Sequence, residues 1–156
     1  MHMPQDQAQE PDSLVAMRKR VSDSFDRQGL MRHLGASIES IEPGEVRLKL
    51  PYRAELTQQH GFFHAGASSA LADTAGGYAG FTLFPEGSSV LTVEFKINLV
   101  APARGDYLLA VGKVLRSGRT LTICQLEVFG VTPKGRDLVA IGQQTLMCMH
   151  GKPDTN

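Results

Sequence analysis

Two groups in this chain could do acid–base chemistry together. Asp73 is a carboxylate inside a run of small, uncharged residues, His64-Ala-Gly-Ala-Ser-Ser-Ala-Leu-Ala-Asp73-Thr-Ala-Gly-Gly-Tyr-Ala-Gly80-Phe. A lone carboxylate there is costly to bury without partners. It reads either as an exposed helix charge or as a working acid in a pocket. The second group is the start of the same run. If His64 precedes a helix, the amides of Ala65, Gly66 and Ala67 are first-turn donors with no intrahelical partner. With the helix dipole they favour negative charge beyond the helix end. A carbonyl oxygen that becomes an oxyanion fits such a place.

The elements must bring these groups together. Asp73 follows Ala65 by eight residues, which is roughly 12 Å along a helix. One helix cannot aim both at one carbonyl carbon. A two-fold-related copy with its helix antiparallel alongside would do so, giving two equivalent sites per dimer. The helix carries Gly66, Ser69, Ala70, Asp73, Gly77 and Gly80 on one small-residue stripe, with Leu71, Tyr78 and Phe81 around the other side.

The flanking pattern supplies the rest of the fold. Asp12-Ser13 offers an N-cap to a helix over 12–28, with Leu14, Val15, Met17, Val21 and Phe25 as its apolar stripe. From Ala36 the period changes to two, with a turn at Glu42-Pro43-Gly44. After Pro85-Glu-Gly87 the chain reads as strands over 91–99, 107–115, 121–131 and 138–149. Ser117-Gly118 and Pro133-Lys-Gly135-Arg mark turns. A helix inserted among antiparallel strands is an α+β arrangement. The later strands are apolar on both parities. One face can cover the central helix and the other expects a second partner, which oligomerisation supplies.

Composition limits the function classes. The 16 basic and 16 acidic residues balance, and 42% of the 156 residues are hydrophobic. A single globular domain is expected, without a broad basic nucleic-acid surface or a membrane span. Residues 1–11 read as a polar, flexible tail with no secretory leader. Cys124 and Cys148 lack metal-ligand spacing and read as reduced apolar fillers of a cytoplasmic protein. No GxSxG, P-loop or GxGxxG is present, and no metal site is expected.

Taken together, Gln58, Gly61, His64-Ala65-Gly66 and Asp73 resemble the motif of hotdog-fold acyl-CoA thioesterases of the PaaI-like (phenylacetyl-CoA thioesterase-like) subgroup. Those proteins carry Asn or Gln, a Gly, then His-Gly-Gly, then an acid nine residues past the His. The resemblance covers about residues 33–149, including Thr92-Val-Glu-Phe-Lys-Ile-Asn98 and the turn Ser117-Gly-Arg119. It implies a hotdog fold, an antiparallel sheet wrapped around a long central helix. Residues 12–150 would form that one domain, with the N-terminal helix as an addition.

The resemblance implies hydrolysis of a thioester to free acid and coenzyme A, in a homodimer or a homotetramer built as a dimer of dimers. Asp73 would be general base or nucleophile, and the Ala65 amide would polarise the carbonyl. Gln58 would hold water or orient the carboxylate, and His64 would anchor the helix start. Gly66, Thr92 and Phe63 would contact substrate. Arg116, Ser117, Gly118 and Arg119 would meet the phosphates of coenzyme A. No separate cofactor is implied, because coenzyme A belongs to the substrate.

Two departures stand out. Ala65 replaces the usual Gly, which keeps the N–H but adds a methyl group, and Gln58 stands where many members have Asn. Thr92 reads equally as an ordinary strand residue, and the Arg116–Arg119 turn equally as a solvated one. Phe62, Phe63, Tyr78, Phe81 and Leu83 are the expected pocket liners. A hotdog enoyl-CoA hydratase/dehydratase and a non-catalytic acyl-CoA binder are the alternatives. The first would carry a Pro-Gly loop after its His, and the second a neutral residue at 73.

Overall fold

The structure is a computed structural model that describes residues 11–155. Of the expected flexible tail, residues 1–10 lie outside the described residues. The chain runs α1 (Asp12–Asp26), α2 (Gly29–Leu34), β1 (Ser37–Glu42), β2 (Glu45–Pro51), a short 3-10 turn (Ala54–Leu56), α3 (Ala65–Phe81), β3 (Ser89–Leu99), β4 (Tyr107–Ser117), β5 (Leu121–Thr132) and β6 (Gly135–Met149). The six strands form one antiparallel sheet in the order β1-β2-β4-β5-β6-β3. The α+β architecture expected from the sequence, an antiparallel sheet around a long helix with an added N-terminal helix, is the one observed.

α3 lies against β2 to β6. Its small residues allow this close approach, and so does one glycine of the sheet. A Cβ on Gly112 would sit 2.4 Å from the backbone of Ala75 and Gly76. The core fills the space around the helix with Leu48, Leu50, Leu71, Leu126, Val128 and Leu146, all fully buried. β3 is an edge strand. It projects Leu91, Val93 and Leu99 into solvent, each more than half exposed.

The N-terminal region differs from the sequence reading in two respects. Asp12 is the first helical residue, not a cap. Pro11 precedes it with φ −58° and ψ 135°, and no side chain caps the helix. The Pro11 carbonyl accepts from Leu14 N at 2.9 Å, so the chain turns one residue earlier than Ser13 would require. The helix also ends at Asp26, and a second helix, α2, follows and closes on Gly35 at φ 79°. Six residues carry too little periodicity to announce a helix.

α1 is fastened to both layers. Arg20 donates to the carbonyls of Phe81 (2.8 Å) and Phe84 (3.0 Å), capping the C-terminal end of α3. Its guanidinium lies 4.5 Å from the centre of the Phe81 ring. Arg18 donates to Ile41 O at 2.9 Å and pairs with Glu42.

Candidate active site

Asp73 sits half-buried in the middle of α3, and its Oδ1 is held from two sides. Thr92 Oγ1 donates to it at 2.7 Å. Gln144 Nε2 donates to it at 2.5 Å and also lies 3.1 Å from the Asp73 carbonyl. The same Nε2 is 3.1 Å from Thr92 Oγ1. Oδ2 has no hydrogen-bond donor among the described residues. One carboxylate oxygen is thus fixed by charge-assisted hydrogen bonds, and the other is available to a reactant. Asp73 lines a cavity of about 440 Å³ between α3, β3 and the end of α1.

Thr92 reaches Asp73 because the β3–β6 register shifts between Thr92 and Glu94. A bulge re-aims a side chain next to a site in this way. Gln144 was not anticipated from the sequence. It is fully buried, between Cys124 of β5 and Phe95 of β3 in the sheet register. Gly76 leaves room for it, since a Cβ there would lie 2.0 Å from Gln144 Oε1. That Oε1 is buried without a hydrogen-bond partner. The available signal was the alternation Gln144, Leu146, Cys148, which puts an amide on the core-facing parity of β6.

The helix start holds fewer free donors than its position suggests. His64 is the N-cap of α3 and its Nδ1 accepts from Gly66 N at 2.8 Å. Ala67 N and Ser68 N donate to the His64 carbonyl at 2.9 and 3.3 Å. Of the three amides expected to be free, only Ala65 N has no acceptor among the described residues. Gly66 is occupied by the cap and Ala67 by a tightened first turn.

Ala65 faces a second cavity of about 530 Å³, shared with Gln58, Phe62, Phe63, Ser68 and residues 99–103. Gln58 Oε1 accepts from His60 N in the loop before the helix. Within one chain Gln58 therefore accompanies Ala65, while Gln144 and Thr92 orient the carboxylate.

The expected aromatic liners also divide. Phe62 and Phe63 line the Ala65 cavity and Tyr78 lines the Asp73 cavity. Phe81 is fully buried core, and Leu83 is 42% exposed, near the β1–β2 turn at Gly44. Arg116, Ser117, Gly118 and Arg119 form the exposed β4–β5 turn. Gly118 is required there, because a Cβ would lie 2.6 Å from Leu121 O.

Both cysteines are buried free thiols. Burial pushes the Cys124 thiol up to about 12, which removes it as a nucleophile. Among the described residues no three His, Cys, Asp or Glu side chains group to hold a metal ion. No described helix is long and apolar enough to cross a membrane.

Comparisons with known proteins agree with this architecture. The thioesterase superfamily profile matches residues 60–134, which contain both Ala65 and Asp73. The proofreading thioesterase EntH of Klebsiella pneumoniae is 30% identical over 107 residues, 69% of this chain and 77% of its own. A thioesterase family protein from Silicibacter pomeroyi, known from its crystal structure, is 43% identical with a TM-score of 0.84. That match covers 86% of this chain and 99% of the other. The PaaI protein of the E. coli phenylacetic acid degradation operon shares the fold, at TM-score 0.79 and 21% identity, over 91% of this chain and 99% of its own. The chain therefore belongs to the thioesterase superfamily, as a thioester hydrolase with the PaaI-like hotdog fold.

Proposed function

We propose that this protein hydrolyses acyl-CoA thioesters in a site shared between two copies of the chain. One observation carries the proposal. The free oxygen of Asp73 and the free amide of Ala65 open into different cavities, yet β3 borders both. Val90, Thr92 and Phe95 flank the Asp73 cavity, and Leu99 and Val100 flank the Ala65 cavity. β3 is an unpaired edge with exposed apolar side chains. Antiparallel pairing of two such edges about an axis near Phe95 lays the Leu99 end of each strand beside the Thr92 end of the other. The two cavities then merge, and Asp73 faces the partner's Ala65. The pairing also covers an exposed strand edge, which soluble proteins rarely leave long and apolar.

The reaction then runs between fixed groups. Asp73 Oδ2 takes a proton from water as the water oxygen attacks the thioester carbon. Negative charge grows on the carbonyl oxygen, where the partner's Ala65 N–H and the positive end of α3 stabilise it. The C–S bond breaks and the departing thiolate takes the proton, leaving acid and coenzyme A. Attack by Oδ2 itself, through an acyl anhydride, uses the same geometry. Gln58 enters with the partner's Ala65 and is placed to hold the water. The guanidinium groups of Arg116 and Arg119 supply charge for the coenzyme A phosphates. Stacking of two such dimers into a tetramer, in the cytoplasm, completes the reading.

The test is release of free thiol from short, medium and aromatic acyl-CoA esters. Asp73→Ala should lose at least about a hundredfold in kcat. Wild-type turnover in that variant would overturn the role of Asp73. Hydration of an enoyl-CoA without thiol release would favour the hydratase reading.

A further inference from the structure

Ser68 carries a polar group that neither the fold nor the reaction described above uses. It stands near the start of α3, four residues after the His64 cap, and is 1% exposed. Its Oγ is buried without a hydrogen-bond partner among the described residues. A serine inside a helix ordinarily donates back to the carbonyl four residues earlier. That carbonyl, of His64, already accepts from Ala67 N at 2.9 Å and from Ser68 N at 3.3 Å. A buried hydroxyl left unpaired is costly unless a ligand satisfies it.

Ser68 lines the same cavity as Ala65, whose amide has no acceptor among the described residues. Of the residues lining that cavity only Gln58 and Ser68 have polar side chains, and Gln58 Oε1 already accepts from His60 N. Residues three apart on a helix are neighbours, with Cβ atoms about 5–6 Å apart. Side chains on a helix also lean toward its N-terminus. The Ser68 hydroxyl is therefore carried toward the turn that begins at Ala65, and a single side-chain torsion aims it. The amide can only donate, and the dipole of the 17-residue α3 adds positive potential beside it. The atom that satisfies both groups is thus an acceptor bearing negative charge. An oxygen about 2.7–3.1 Å from each of two donors meets that description.

We infer that Ser68 is a further catalytic residue, whose hydroxyl donates a second hydrogen bond to the thioester oxygen held by the Ala65 amide of the same chain. The inference rests on the proposed acyl-CoA hydrolysis and adds a group to it. The carbonyl oxygen accepts from both donors, and both bonds strengthen as charge grows on it. Ser68 keeps its proton throughout, and no covalent bond to it forms or breaks. Solvent does not cover the hydroxyl, so its proton is not spent on water, and the low-dielectric surroundings strengthen the bond it makes. Gln58 stays available to the attacking water.

Ser68→Ala tests the inference, since it deletes the hydroxyl and suits the helix better. kcat for acyl-CoA hydrolysis should fall about ten- to a hundredfold, while KM changes less than about threefold. Thermal denaturation should show no loss of stability, because an unpaired buried hydroxyl is removed. A merely structural role would not lower kcat while stability holds. The carbonyl itself gives a second readout. Acetyl-, hexanoyl- or benzoyl-CoA, whichever is turned over fastest, is labelled with carbon-13 at the thioester carbonyl and bound to Asp73→Asn. Its stretching band, followed by infrared difference spectroscopy, should move to lower wavenumber, and should move less when Ser68→Ala is added. Wild-type kcat in folded Ser68→Ala overturns the inference and leaves Asp73 and Ala65 in their roles. So does an equal band shift with and without the hydroxyl. If the wild-type protein releases thiol from none of the esters, the hydrolysis reading itself fails, and this inference with it.

Discussion

Gln144 holds Asp73 by one nitrogen at two points, its carboxylate Oδ1 at 2.5 Å and its main-chain carbonyl at 3.1 Å. The carboxylate is thereby fixed to the helix that carries it and to the sheet behind it. Positioning of this kind acts on rate, since a small misplacement of a reacting group can cost on the order of a hundredfold. Gln144→Leu should lower kcat by roughly ten- to a hundredfold while KM moves little. It also removes the buried, unpartnered Oε1, so thermal denaturation should show a stability change within about 1 kcal/mol. An unchanged kcat would remove Gln144 from the site.

Two adjacent glycines of α3 should respond in opposite directions. A Cβ on Gly77 meets nothing within 4 Å, because it faces the cavity. Gly77→Ala should raise stability by about 1 kcal/mol through helix propensity, and raise KM for bulky acyl groups. A Cβ on Gly76 would lie 2.0 Å from Gln144 Oε1 and 2.5 Å from Leu126 Cδ2. Gly76→Ala should cost about 1–3 kcal/mol by overpacking and lower kcat by displacing Gln144. Urea denaturation of both variants checks the signs.

Stability should fall in alkaline solution. Burial raises the Cys124 thiol from 9.0 to about 12, and it raises Tyr78 as well. Between these limits the unfolded chain loses the thiol proton and the folded chain keeps it. The unfolded state then binds fewer protons, so stability decreases as pH rises from about 9 toward 12. The slope approaches about 1.4 kcal/mol per pH unit for this one group. Cys124→Ala should flatten the decline over that range, measured as unfolding free energy against pH. An equal slope in the variant would contradict the assignment.

The β4–β5 turn should act on binding of coenzyme A and not on the chemical step. Arg116→Ala with Arg119→Ala should raise KM for acyl-CoA several-fold, and more at low salt than at high salt. Esters of a truncated thiol without phosphates should show no such rise. Equal effects on both esters would show that the turn does not meet the phosphates.

Much of this arrangement was legible from residue order. The long helix, the strands after it and the acid within it follow from periodicity and composition, because each is a local pattern. Gln144 was not legible. Its alternation with Leu146 and Cys148 puts its amide on the inward parity, but its contact with Asp73 depends on how β6 registers beside β5 and β3. The fate of the helix-start amides was equally hidden, since it turns on which His64 atom accepts from Gly66. The division of the aromatic residues between two cavities depends on how the loop over 57–63 packs against residues 99–103, a contact far apart in sequence.

The shared site is tested most directly by mixing two defective chains. Asp73→Asn removes the base. Ala65→Pro removes the helix-start amide that has no acceptor among the described residues, and proline is well tolerated at a first helical position when the preceding residue is extended, as His64 is at ψ 142°. Each homodimer should be at least about a hundredfold impaired. A mixed dimer, isolated by two affinity tags, pairs the intact Asp73 of one chain with the intact Ala65 of the other in one of its two sites. It should therefore recover about half of the wild-type kcat. A mixed dimer no more active than its parents would show that the carboxylate and the amide do not meet across two chains.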